Sequence, residues 1–360
     1  MTTCIQWATR QLQSASLIGA LLVGAACDEP EPPPGSTDLP GTSDSDLRTW
    51  IPHPAWNCGM PSGIPAPPRG SAPAFEIRVP VRAVHTLGQT PYGMRKALEL
   101  GPGTVTGPRL SGTVLDGGID FDLTLKNGVS EIEQLMLIQS RDGSWAYLRA
   151  CGVAGPEDSV RLVPQIDVDE RGSLSALGRT QWLGTRRFDA QASTLTLTFF
   201  EVSAGAAGAD PLPARIEKPT GVPAQAWECQ NVRSPARGSE IFREVVNLGP
   251  AVIVGDTAHG TRSAIPITGG TVSGRIRGRV LNAGADFQLL DSLTLDARYL
   301  VKTEDGEVFS VRNCGGFGSL TPSFEARTDG PYAFLNEPKF VSDDPGVGLG
   351  NVTIIIRERR

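Results

Sequence analysis

Two ionisable side chains in the last third of the chain could form a site for chemistry, Asp286 and Arg298. Each lies in a short segment in which apolar and polar residues alternate. Such alternation is typical of β-strands, whose successive side chains point to opposite faces. If both side chains point into one barrel, they form a polar patch in a mostly apolar cavity. A buried carboxylate beside an arginine stays ionised, and it can orient a ligand carbonyl or hydroxyl group or act as a base.

The same alternation assigns the neighbours of these two residues to faces. Asp286 shares a face with Gln288 in the first segment. In the second segment Asp296 shares a face with Arg298, and Tyr299 lies on the opposite face. We therefore expect Asp286 and Arg298 on one inner wall, provided that both strands turn these faces inward.

The other ligand-binding candidates are polar residues of the same region: His259, Arg262, Tyr299, Glu325, Tyr332 and Asn336. A structural alternative stands beside them, because an Asp–Arg pair in a β-protein is usually a cross-strand or turn-fixing interaction. A lone histidine is likewise more often a hydrogen-bonded residue than a catalyst. No catalytic residue is assigned. We expect no metal, because the sequence has no Cys/His cluster with zinc spacing. We expect no cofactor, because the glycine-rich segments lack the strand-to-helix setting of a phosphate-binding loop. The Gly-x-Ser-x-Gly motif of a hydrolase nucleophile is also absent from the sequence.

Two stretches of the chain share many residues in register, Thr90–Phe121 and Thr257–Phe287. The matched pairs include Thr90 with Thr257, Gly93 with Gly260, Arg95 with Arg262, Ala97 with Ala264, Gly112 with Gly278, and Asp120 with Asp286. Such internal similarity indicates two copies of one domain.

The composition limits the function classes. A chain of 360 residues is long enough for two domains, each with its own core. The net charge of −6 argues against a nucleic-acid partner, which requires a basic face. The 42 Gly and 29 Pro residues separate many short β-rich segments, as in an all-β protein with many turns.

The period-two segments predict an all-β fold of two tandem small β-barrel domains of the same topology. The clearest predicted strands are 75–81, 119–125, 144–149, 160–168 and 194–202 in the first copy, and 240–246, 276–281, 285–290, 293–302, 308–312 and 352–357 in the second. We favour a barrel over a sandwich because closure removes exposed strand edges. The expected domains are residues 49–203 and 226–360, joined by an Ala-, Gly- and Pro-rich linker at 204–225.

Four cysteines occupy matched places in the two copies. Cys58 and Cys229 each precede a repeat, and Cys151 and Cys314 each lie late in one. Four cysteines allow three pairings. The repeat favours Cys58–Cys151 and Cys229–Cys314, because each copy then closes on itself; four buried free thiols are the alternative.

The N-terminal region is typical of an exported protein. Residues 1–26 contain Arg10 and a short apolar segment, as in a signal peptide. Cys27 follows a sequence that resembles a bacterial lipoprotein processing site, and ordinary cleavage after Ala26 is the alternative. Residues 27–48 are polar and Pro-rich and are expected to be a disordered tether. We therefore expect a lipid-anchored protein of the bacterial cell envelope, in the periplasm or at the outer membrane.

Several short segments of the second copy form a recognisable pattern: His259-Gly260-x-Arg262, Ile265–Thr271, Gly278–Leu281, Gly284–Phe287, Leu295–Tyr299, Asp305-Gly306, Phe324-Glu325 and Tyr332–Asn336. In these segments the second copy resembles a bacterial and fungal family of proteins of unknown function, DUF3237. It implies a small β-barrel and little about activity. Some relatives belong to natural-product pathways in which ring closure or isomerisation has been proposed.

The first copy lacks several polar residues of the second. Leu135 stands opposite Arg298, and Gly184 stands opposite Asn336 in a looser alignment. We therefore expect the first copy to be structural and any ligand to bind the second. The leading hypothesis is binding of a small apolar molecule. A cyclase or isomerase acting on a natural-product-like molecule is one alternative, and an envelope protein without a ligand is another. The oligomeric state does not follow from the sequence.

Overall fold

The computed structural model describes residues 64, 66–67, 70–154, 160–202 and 236–360. The expected signal peptide, Cys27, the tether, the linker 204–225, Cys58 and Cys229 lie outside these residues. Within the described ranges, no helix is both long enough and apolar enough to span a membrane.

The first barrel is a closed antiparallel sheet. Its elements are β1 (Phe75–Gln89), β2 (Met94–Leu100), β3 (Gly103–Thr106), β4 (Gly112–Val114), β5 (Gly118–Thr124), β6 (Ser130–Ser140), β7 (Trp145–Ala154), β8 (Val160–Val168), α1 (Ser175–Arg179), β9 (Trp182–Asp189) and β10 (Thr194–Glu201). Neighbouring strands pair in sequence from β6 to β10, and β10 pairs with β1 to close the ring. The long strand β1 pairs with β2 along one half and with β3 along the other.

The second barrel repeats this plan and is nearly closed. Its elements are β11 (Arg237–Leu248), β12 (Val252–Thr257), β13 (Gly260–Gly274), β14 (Gly278–Leu289), β15 (Thr294–Thr303), β16 (Val308–Gly316), β17 (Thr321–Glu325), a 3-10 helix (Ala333–Asn336), β18 (Phe340–Ser342), β19 (Gly346–Val347) and β20 (Asn351–Arg359). Strands β11 and β12 together correspond to β1, and the long strand β13 corresponds to β2 and β3 together. In the second barrel β13 pairs with both β11 and β12, and in the first barrel β2 and β3 both pair with β1. The predicted all-β fold of two barrels is confirmed.

The turn that begins each repeat has the same construction. Thr90 Oγ1 donates to the Gly93 carbonyl over 3.0 Å, and Thr257 Oγ1 donates to the Gly260 carbonyl over 2.8 Å. Gly260 has a φ of 112°, a backbone conformation that residues other than glycine rarely adopt. The matched sequences therefore form matched local structures, as a duplication requires.

Apolar side chains form one core inside each barrel and a third core between the barrels. The third, named here the inter-barrel core, has a contribution from each side. The first barrel contributes Leu87, Ala97, Ile119, Phe121, Leu135, Leu137 and Tyr147, and the second contributes Val252, Val254, Ala264, Leu281, Ala283, Ala285, Phe287, Leu300 and Val308. The Tyr147 and Phe287 rings lie 5.1 Å apart across it. The strands near this core are therefore covered on both faces, by a lumen on one side and by the other barrel on the opposite side.

Candidate functional site

The lumen of the second barrel contains a cavity of about 100 Å³. Its wall is mainly aliphatic and aromatic, and four polar side chains interrupt it: Asp286, Gln288, Tyr299 and Asn313. Strands β14, β15 and β16 carry these side chains on their inner faces. Phe317 and Val347 line the cavity and are also exposed at the surface, so the apolar wall continues to the outside.

Asp286 faces this cavity without a cationic partner among the described residues. Gln288 Nε2 donates to its Oδ2 over 2.7 Å, and the Asp296 N–H donates to its Oδ1 over 3.2 Å. Burial raises the pKa of Asp286 to about 6, although the Gln288 hydrogen bond opposes that shift. The carboxyl group therefore changes its charge close to neutral pH.

The expected pairing of Asp286 with Arg298 in one lumen is wrong. The alternation within each strand is as predicted, but the register places Ala297 opposite Asp286 and places Arg298 opposite Ala285. Ala285 belongs to the inter-barrel core, so Arg298 leaves the sheet on that side. A polar patch of both residues on the inner wall does not form.

Tyr299 does lie in the lumen, where its hydroxyl group donates to Glu244 Oε2. Glu244 is fully buried, and burial raises its pKa to about 7 against the Tyr299 hydrogen bond. Its other oxygen has no hydrogen-bond partner in the described part of the chain. Glu244 is not among the residues predicted from the sequence, although the alternation of Phe242, Glu244 and Val246 along β11 indicates its inward position.

Arg298 is part of a buried ion network between the barrels. Its Nη1 donates to Glu133 Oε1 of the first barrel over 2.7 Å, and its Nη2 donates to Asp296 over 3.0 Å. Arg149 Nε also donates to Glu133, over 2.6 Å, and Arg312 Nε donates to Asp296 over 2.9 Å. Burial opposes ionisation of Glu133, but Arg298 and Arg149 outweigh it and lower the pKa of Glu133 to about 2.

His259 and Arg262 also lie at the inter-barrel boundary, where both contact Asp167 of the first barrel. His259 Nδ1 lies 2.8 Å from Asp167 Oδ1, and Arg262 Nε donates to Asp167 Oδ2. The Arg262 guanidinium also lies 4.5 Å from the centre of the Tyr147 ring. These residues join the two barrels and do not face the lumen.

Glu325 occupies the equivalent place on the other side of the boundary. Arg95 donates to its two oxygens, from Nε over 2.9 Å and from Nη2 over 2.5 Å. The strand register explains the match, because Glu325 lies opposite Ser310 on β16 as Asp167 lies opposite Tyr147 on β7. Arg262–Asp167 and Arg95–Glu325 are therefore equivalent ion pairs across the boundary, and in these two pairs each barrel provides one arginine and one carboxylate.

Tyr332 and Asn336 hold local structure. Asn336 donates to the Ala326 carbonyl and accepts from its N–H, each over 2.9 Å, which fixes the 3-10 helix to the end of β17. The Tyr332 hydroxyl donates to Asp305 over 3.1 Å at the surface. Neither residue lines the lumen cavity of the second barrel.

Cys151 and Cys314 lie at equivalent places on β7 and β16, and both are buried. Their expected partners are outside the described residues, so the two disulfides stay a prediction. Among the described residues, no group of three or more His, Cys, Asp or Glu side chains is placed to hold a metal ion.

Comparison with known proteins gives two matches to one family. One family model matches the chain twice, at residues 70–202 and at residues 238–347. The description of this family is "protein of unknown function (DUF3237)". A UPF0311 protein of Bradyrhizobium diazoefficiens is 40% identical over 78 residues, which are 21% of this chain and 51% of that protein. A UPF0311 protein of Rhodopseudomonas palustris is 39% identical over 79 residues, 21% of this chain and 52% of that protein. The chain spans about half the length of the curated relatives it matches.

Several solved structures are similar to part of the chain, and three of them are described here. A conserved protein of unknown function from Rhodopseudomonas palustris has a TM-score of 0.33 and 20% identity, covering 37% of this chain and 97% of that one. A β-barrel-like protein from Acinetobacter baumannii has a TM-score of 0.33 and 21% identity, covering 38% and 98%. An enzyme from Penicillium herquei has a TM-score of 0.29 and 19% identity, covering 38% and 97%. Since the two family matches together take in most of its residues, one in each barrel, the chain belongs to the DUF3237 family of proteins of unknown function.

Proposed function

We propose that the second barrel binds a small, largely apolar molecule in its lumen and that Asp286 is the main polar contact of that ligand. The observation that carries the proposal is the open cavity beside a carboxyl group that has no cationic partner among the described residues. Cavities with an apolar wall take up apolar molecules, as a dry cavity of about 150 Å³ takes up benzene. The size of the present cavity favours a compact ligand.

The first barrel supports the proposal by contrast. Its equivalent carboxylate, Asp120, accepts hydrogen bonds from Arg186 Nε and Nη2, both over 2.8 Å, and from Gln134 over 2.8 Å. Gln134 and Ala297 occupy equivalent positions in the two barrels. Gln134 precedes the residue that pairs with Arg149, and Ala297 precedes the residue that pairs with Arg312, the arginine matched to Arg149. Polar side chains of the first barrel thus satisfy its carboxylate from within. The corresponding carboxyl group of the second barrel faces space for a ligand.

The protonation state of Asp286 determines which ligand groups it can hydrogen-bond. Below its pKa of about 6 the neutral carboxyl group can donate a hydrogen bond to a ligand carbonyl or hydroxyl group. A ligand that covers an ionised Asp286 removes the remaining water from a charge, which is costly. Affinity for a neutral ligand should therefore fall as the pH rises through about 6, and it should lose this dependence in Asp286→Asn.

Fluorobenzene is a suitable probe because it is nearly the size of benzene, neutral and apolar, and its 19F signal shifts and broadens on binding. Ala297→Phe adds a ring to the lumen, where Ala297 lines the cavity. Ala192→Phe adds the same ring at an exposed turn and is the matched control. We expect saturable binding to the native protein and to the control, and loss of binding in Ala297→Phe. Undiminished binding in Ala297→Phe, or no binding to the native protein, would refute the lumen site.

A catalytic role in isomerisation is the second candidate, favoured by the pKa of Asp286 near neutrality in an apolar cavity. One such carboxylate can remove the proton between the carbonyl and the double bond of a β,γ-unsaturated ketone and return it to the far end of the allylic system, giving the conjugated isomer. Ultraviolet absorbance would follow this reaction with 3-cyclohexen-1-one. The candidate requires turnover that Asp286→Asn abolishes while fluorobenzene still binds.

The proposal also includes export and a lipid anchor at Cys27, which the signal-like sequence of residues 1–26 and the Pro-rich segment after it support. Cells that express the full chain and are fed an alkyne-tagged palmitate should incorporate the tag into the native protein and not into Cys27→Ala. Absence of the tag from the native protein would remove the anchor and leave the lumen proposal unaffected.

A further inference from the structure

A second cavity lies outside both lumens, at the boundary between the barrels. Its volume is about 250 Å³, and residues of both barrels line it. Four of the lining residues are arginines: Arg149 from the first barrel and Arg262, Arg298 and Arg312 from the second. Each of the four is at most 8% exposed. Four buried cations around one cavity require nearby anions, because a buried charge without a partner is costly.

The carboxylates of the described residues leave part of this requirement unmet. Glu133 accepts from Arg149 and Arg298, Asp296 accepts from Arg298 and Arg312, and Asp167 accepts from Arg262. Three carboxylates therefore face four guanidinium groups. Within the described part of the chain, the buried Nη1 of Arg312 has no hydrogen-bond partner. Burial, together with the neighbouring Arg298 charge, lowers the pKa of Arg312.

The opposite wall of the cavity is aromatic and aliphatic. The Tyr147 and Phe287 rings lie 5.1 Å apart, and Leu289 lies beside them. Arg262 covers the Tyr147 face at 4.5 Å. The cavity therefore combines a cationic end with a surface on which a flat apolar group can pack.

The equivalent cavity on the other side of the boundary is much smaller, with a volume of about 30 Å³. Arg298 and Arg312 extend to this cavity as well, and its third arginine, Arg95, donates to both oxygens of Glu325. The duplicated boundary therefore has one side with almost no free volume and one side with space for a ligand.

We propose that the larger inter-barrel cavity binds a small organic monocarboxylate, with Arg312 Nη1 donating to the carboxylate and the apolar body of the ligand packing on Tyr147 and Phe287. One added negative charge brings the four arginines and three carboxylates to balance. Charge-assisted hydrogen bonds between guanidinium and carboxylate groups are among the strongest in proteins. This site is separate from the lumen of the second barrel and does not depend on the function proposed for it.

Benzoate is the probe, and benzamide is its neutral analogue of the same shape. Calorimetric titration of the full chain near neutral pH should show saturable benzoate binding, and benzamide should bind at least about tenfold more weakly, since a hydrogen bond to a charged group contributes roughly 1.5–3 kcal/mol. Equal affinity for the two compounds, or no saturable binding of benzoate, would overturn the proposal. Inorganic phosphate that competes as strongly as benzoate would overturn the assignment of a monocarboxylate with an apolar body.

Three variants locate the site. Arg312→Gln removes the unpaired donor, and Leu289→Trp fills the cavity while it keeps every charge; both should weaken benzoate binding at least about tenfold. Asp286→Asn changes the lumen of the second barrel and should leave benzoate affinity unchanged. Circular dichroism of each variant would check that it is folded. Native benzoate affinity in folded Leu289→Trp, or equal loss in Asp286→Asn, would place the benzoate elsewhere and contradict the inference.

Discussion

The substitution Asp286→Asn tests whether ionisation of the Asp286 carboxyl group lowers the stability of the folded protein. Asn has nearly the shape of Asp, and its oxygen can still accept the hydrogen bond of the Asp296 N–H. Its NH2 group takes the place of Oδ2 and keeps a hydrogen bond to Gln288 when the Gln288 amide turns its oxygen toward it. It lacks the charge that Asp286 acquires above its pKa of about 6. The variant therefore isolates the free-energy cost of an ionised group in the cavity.

The magnitude follows from the pKa shift. The folded-state pKa of about 6 lies above the ordinary value of 3.8, so the folded protein binds the proton more tightly than the unfolded chain. Stability associated with this group is therefore present at low pH and is lost as the pH rises through about 6. At about 1.4 kcal/mol per pH unit, the shift corresponds to about 3 kcal/mol. Asp286→Asn should raise the free energy of unfolding by about this amount at about pH 8 and change it little at about pH 4.

The assay is denaturant unfolding of the full chain at several pH values, with the difference between variant and native protein taken at each pH. Asp120→Asn in the first barrel is the matched control. Asp120 accepts from both Arg186 donors, so its substitution leaves a buried arginine without its partner and should cost about 3–5 kcal/mol. The two equivalent substitutions should therefore change stability in opposite directions at about pH 8.

Two results would refute this prediction. If Asp286→Asn destabilises the protein at about pH 8 as much as Asp120→Asn does, Asp286 is an ionised structural anchor. A stability difference that does not vary between about pH 4 and about pH 8 would show that Asp286 does not titrate in that range. Either outcome would also remove the acid–base role from the second candidate function.

Two further substitutions test the lumen and the boundary. Tyr299→Phe removes the donor to buried Glu244 and should lower the free energy of unfolding by about 1–3 kcal/mol near neutral pH; an unchanged stability would show that the hydrogen bond does not matter. Arg298→Met takes one partner from both Glu133 and Asp296 and should cost about 3–5 kcal/mol. Scanning calorimetry of Arg298→Met should also separate one unfolding transition into two, because the ion network joins the barrels; a single transition of native enthalpy contradicts that role.

Short-range patterns in the sequence predict most of the fold. Alternation predicted the strands and also which residues share a face, as for Asp286 with Gln288 and for Asp296 with Arg298. The glycine-containing turn after Thr90 and again after Thr257 marked the duplication. These features depend on neighbours within a few residues, and a strand's period of two follows from its backbone geometry.

Alternation separates two faces of a strand but does not say what covers each of them. In this protein one face lines a lumen and the other packs on a second barrel, so a polar residue can be buried on either side. The contacts that decide between these sides join distant parts of the chain, such as Arg298 with Glu133 and Arg95 with Glu325. Only the packing of one barrel against the other brings such groups together, which is why Asp286 and Arg298 have separate surroundings although the pattern suggested a shared one.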